Sequence, residues 1–107
     1  MPKYLIIASL EKSGVAGIEK EGGSRRREAV TNLAKSLGGT LEAFYFMFGD
    51  ADVVSILDLP KNASAASLSL AVAATGIGNV STTVLLTPEE IDEAVTMRPE
   101  YRPPGSV

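Results

Sequence analysis

The sequence predicts an α+β domain, and three features carry that reading. Apolar positions alternate between strand spacing and helical spacing along the chain. A Gly-Asp pair lies between two runs rich in aromatic and β-branched residues, the pattern of a tight hairpin. Two helical stretches each end at glycine. In order these give strand, helix, hairpin, helix, strand and a short closing helix. The arrangement is a split βαβ, the ferredoxin-like βαββαβ topology: a four-stranded antiparallel sheet with both long helices on one face, plus a short C-terminal helix.

Each element has its own signal. Residues 3 to 10 read as the first strand, and the "SGVAGIEKEGG" that follows reads as a helical turn or loop. From Ser24 to Leu37, Ala29, Val30, Leu33, Ala34 and Leu37 recur at helical spacing, and Gly38-Gly39 stops the helix in a conformation only glycine adopts cheaply. Residues 41 to 48 and 51 to 58 form the hairpin around Gly49-Asp50, and Pro60 closes it. An Ala-rich helix from Asn62 to Thr75 ends at Gly76, and "VSTTVLLT", residues 80 to 87, is the fourth strand. Thr87-Pro88-Glu89-Glu90 then opens a helix with Thr as N-cap, Pro at the first helical position and Glu90 placed for a capping box. Residues 1 to 96 are thus one domain, and the three prolines of "RPEYRPPGSV" make residues 97 to 107 an irregular tail.

Composition removes several chemistries. With no Cys and no His among 107 residues, thiol nucleophiles, disulfides, imidazole catalysis and the usual zinc ligand sets are excluded. No cofactor or metal is called for, since an all-oxygen cation site needs a denser acidic cluster than any present. A net charge of -3 gives no general attraction for nucleic acid or anionic lipid. No apolar run approaches the roughly 20 residues of a membrane span. The apolar stretch from Tyr4 to Leu10 runs into Glu11 and Lys12 without a small-residue cleavage pattern, so it is read as a strand rather than an export signal, and the expected compartment is the cytoplasm.

The hairpin has a further consequence. With Gly49 and Asp50 at the turn, Phe48 pairs with Ala51 and Met47 with Asp52. One face then carries Phe44, Phe46, Phe48, Val53 and Leu57, and the other Leu41, Ala43, Tyr45, Met47, Val54 and Ile56. Both faces are apolar although helices cover only one. The expected second cover is another copy of the chain, with a cavity between the facing sheets.

The chain resembles the GYD-domain family, whose members are similar in fold to the dimeric α/β-barrel proteins. The resemblance rests on "MPKY" opening a strand, Arg26 before "LAKSLGG", "FYFMFGDADVV", the "LP" that follows, the Ala-rich helix and "GNVSTTVLLTPEE". It spans about residues 1 to 95. In the Gly-x-Tyr-Asp signature the tyrosine is Ala51 here, while Gly49 and Asp52 are kept. The resemblance implies fold and homo-oligomerisation, and leaves reaction and ligand open.

Three residues are candidates for ligand binding: Arg26, Tyr45 and Asp52. Asp50 is explained by turn chemistry. Asp52 lies beside Met47 and diagonal to Tyr45 on the face expected to be covered, where a carboxylate is either paired or hydrogen-bonded by backbone amides. Arg25, Arg26 and Arg27 oppose the dipole at a helix start, and Glu19, Glu21 and Glu28 are near enough to offset them. Arg26 alone shares the core-facing row with Val30, Leu33 and Leu37, where it reaches for a carboxylate, Asp52 among them, or an anionic ligand. The expected function is an oligomeric small-molecule-binding or regulatory module. The alternatives are a cofactor-independent isomerase, cyclase or oxygenase, and a purely structural oligomer.

Overall fold

The computed structural model describes residues 1–106. Its elements are β1 (Lys3–Leu10), α1 (Lys12–Glu21), α2 (Gly23–Ser36), β2 (Thr40–Phe46), β3 (Val53–Asp58), α3 (Asn62–Ala74), β4 (Gly78–Leu85) and α4 (Pro88–Met97). The strands form one antiparallel sheet in the order β2-β3-β1-β4, which is the ferredoxin-like order the sequence predicts.

Alternation along each strand separates two faces. Tyr4 and Ile6 of β1 and Leu57 of β3 point to the helix side, where they meet Ala34 of α2 and Ala65 and Leu68 of α3 in the core. Small residues at these helix positions let both helices approach the sheet closely. The Tyr4 side chain is fully buried, and its hydroxyl is satisfied by donating to Asn62 Oδ1, 2.6 Å away in the first turn of α3. On the same side Ser69 of α3 and Thr82 of β4 share a hydrogen bond.

The hairpin keeps the predicted register, with Phe46 opposite Val53 and Met47 N donating to Asp52 O. Gly49 turns it at a φ of 137°, open to glycine and strained for any other residue. One placement is corrected. A bulge between Leu41 and Ala43 sets Leu41 opposite Leu57, so Leu41 packs on the helix side rather than beside Tyr45. The extra residue is Glu42, which is exposed and pairs with Lys3.

α1 is the second correction, a full ten-residue helix where a turn or loop is predicted. It carries two glycines and no side-chain cap, so local propensity is poor. Tertiary contact sets it instead: Glu11 N donates to Ile77 O at 2.7 Å, and Gly14 is buried so closely against the same carbonyl that a Cβ there would collide with it.

α4 has the predicted cap in full, with Glu90 N donating to Thr87 Oγ1 and Thr87 N to Glu90 Oε1. Every residue of α4 is nevertheless exposed. The radius of gyration is 17.3 Å and the longest extent 60 Å; a compact chain of this length has about 13 Å. α4 and the tail are an arm projecting from the body. Among the described residues no helix is long and apolar enough to cross a membrane.

Candidate functional site

A cavity of about 410 Å³, partly open to solvent, lies between the sheet and its helices. Its floor is the helix-side row of the sheet: Ile6 and Ala8 of β1, Phe44 of β2, and Val53 and Ser55 of β3. Ala29, Val30 and Leu33 of α2 and Ile18 of α1 form one wall, and Leu68 and Val72 of α3 the other. The row of α2 that the sequence marks as core-facing is therefore the row that lines it. Ser55, the polar group of the floor, is buried with its hydroxyl donating to Ile6 O at 3.2 Å, so it leaves no unmet group inside.

At one end the lining turns charged. Arg26 Nε donates to Glu21 Oε1 at 2.6 Å, both side chains being partly exposed where α1 hands over to α2. Arg26 is partnered by Glu21 and not by Asp52, whereas Arg25 and Arg27 are exposed and make no ion pair among the described residues.

The other two candidates lie elsewhere. Asp52 Oδ2 accepts a hydrogen bond from Leu10 N at 2.7 Å, and Asp52 N donates to Ala8 O, so this residue closes the end of β1 against β3. Tyr45 sits on the opposite side of the sheet, 68% exposed, in a smaller groove at the β2 edge. The three residues are thus not brought together. Strand alternation separates Tyr45 from the cavity, and a backbone amide engages Asp52. Gly49 and Asp52, the kept positions of the Gly-x-Tyr-Asp signature, both have backbone roles, one in the turn and one at the strand end.

The cavity itself lies on the helix side of the sheet. The sequence places Val30 and Leu33 on the core-facing row of α2 and carries no signal for the space beneath them. The open face carries Leu5, Ile7, Val54 and Ile56, each partly buried. Ser9, Ser81 and Thr83 add hydroxyls to the same face. No group of three or more acidic side chains suited to a metal ion occurs among the described residues.

No curated protein and no solved structure matches this chain. The family model for the GYD domain matches residues 4–95, from the first strand through most of α4. With 92 of 107 residues inside that match, the chain belongs to the GYD domain family.

Proposed function

We propose that this protein is a small-molecule-binding module whose ligand occupies the cavity between sheet and helices. The observation that carries the reading is the cavity's size set against its walls. At 410 Å³ it falls in the range of pockets that hold small ligands. Its lining is almost wholly apolar, and apolar surface left facing solvent is unfavourable at roughly 25 cal/mol per Å². Water is a poor filler because the walls are apolar and Ser55 is already satisfied. An apolar ligand is the occupant that suits them, and Arg26 at the charged end can take a carboxylate or other anionic group in place of Glu21. The chemistry that fits is an apolar body with one anionic end.

A homo-oligomer formed through the open sheet face belongs to the same proposal. Leu5, Ile7, Val54 and Ile56 make a continuous apolar surface with no helix over it. Sedimentation analysis at micromolar concentration checks this: a multimer that Ile56→Asp dissociates is expected, and a wild-type monomer contradicts it.

Native mass spectrometry of the protein purified from its own cells tests the ligand. A reproducible added mass in wild type, lost in Val30→Phe, supports the cavity as the binding site. A protein of bare polypeptide mass that takes up neither decanoate nor 1-naphthoate contradicts it.

A further inference from the structure

We propose that α4 is an exchanged arm, and that the arm of one copy docks in the aromatic groove at the β2 edge of a second copy. α4 is a capped ten-residue helix with no buried residue, and isolated helices shorter than about 12 residues are marginal in water. Its sequence is amphipathic: Ile91, Ala94 and Val95 share one face, with four acidic residues and no base in the helix. Such a helix requires an apolar seat with positive charge around it.

The body of the same chain offers that seat. A groove of about 290 Å³ at the β2 edge is lined by Ser24 and Arg27 at the start of α2 and by Phe44, Tyr45 and Phe46 of β2. Phe44 and Phe46 meet edge to face with ring centroids 5.4 Å apart, while Phe48 at the hairpin tip is 99% exposed. Arg27, exposed, lines it, and three cations at a helix start oppose the dipole there. Glu21 engages Arg26 alone. The acidic, apolar-striped arm and the basic, aromatic groove are complementary in charge and character, so the second copy is the partner the chemistry selects. Reciprocal exchange of two arms gives a closed pair with both grooves filled. The arm's groove and the cavity are separate spaces that share Phe44.

The absence of cysteine makes the test clean. Full-length Ser24→Cys and Ala94→Cys chains are mixed and oxidised; a disulfide-linked dimer is expected, at least tenfold above a Lys61→Cys and Ala94→Cys control mixture. Arg27→Glu in the Ser24→Cys chain should abolish it, and an acid favours a helix start, so loss through unfolding is not expected. Adding Asp92→Lys/Glu93→Lys to the Ala94→Cys chain should restore it. Crosslinking at the control level, crosslinking indifferent to the charge reversals, or an intramolecular disulfide in the doubly substituted Ser24→Cys/Ala94→Cys chain would each overturn the proposal.

Discussion

The carboxylate of Asp52 accepts the backbone N–H of Leu10 at 2.7 Å, joining residues 42 apart in the chain and holding the end of β1 beside the start of β3. Leu10 lines the cavity, so this bond also fixes one of its edges. Asp52→Ala leaves the Leu10 amide without a partner and should cost about 1–3 kcal/mol in denaturant unfolding. Asp52→Asn keeps an acceptor and should cost about 1 kcal/mol or less. Equal losses in the two variants would show that the hydrogen bond is not what the residue supplies.

Two glycines should respond in opposite directions to alanine. Gly39 lies against the Asp58 carbonyl where the chain enters β2, and an added Cβ would collide with that backbone oxygen. Gly39→Ala should destabilise by at least about 2 kcal/mol. Gly17, in helix α1, has open space where its Cβ would stand, so Gly17→Ala should stabilise by about 0.5–1 kcal/mol. Thermal melts of both variants check the pair.

Lys3 Nζ donates to Glu42 Oε1 at 2.8 Å and to Asp58 Oδ1 at 2.9 Å, and these bonds raise its pKa above the ordinary lysine value. A raised pKa means that folding favours the charged form. The contribution is complete below the unfolded value of about 10.4 and is lost as pH climbs through the folded value. Stability should therefore fall above about pH 10 more steeply in wild type than in Lys3→Met. Parallel curves for the two proteins would contradict this.

Tyr4→Phe removes a buried hydroxyl that donates to Asn62 and should cost about 0.5–1.5 kcal/mol, because Asn62 is exposed and can turn to water. A larger loss would mean that Tyr4 orients α3 through more than this bond.

Much of this fold is written in local patterns. The hairpin register follows from Gly49-Asp50 and the alternation around it, and the capping box of α4 from Thr87-Pro88-Glu89-Glu90. What escaped a local reading depends on distant contacts. α1 has glycines where a helix wants better formers, and Ile77, more than fifty residues away, holds its start. The bulge at Glu42 comes with an ion pair to Lys3 on a strand beyond the neighbouring one. For the site, the sequence marks Arg26 and its row on α2 but not what lies beneath that row. Cavity volume depends on how far three helices stand from a sheet, and no spacing of residues reports that distance. Tyr45 and Asp52 drew attention as polar groups among apolar ones, and their neighbours became visible only through strand pairing.

Methyl NMR during titration with 1-naphthoate, an aromatic body with one anionic end, tests the cavity assignment directly. The methyl signals of Val30, Leu33, Val53 and Val72 should shift together and saturate at one ligand per chain, and Arg26→Gln should weaken the affinity about tenfold, roughly 1.4 kcal/mol. Shifts confined to Ile7, Val54 and Ile56 on the open face, or no saturable shift at all, would contradict a ligand site between the helices and the sheet.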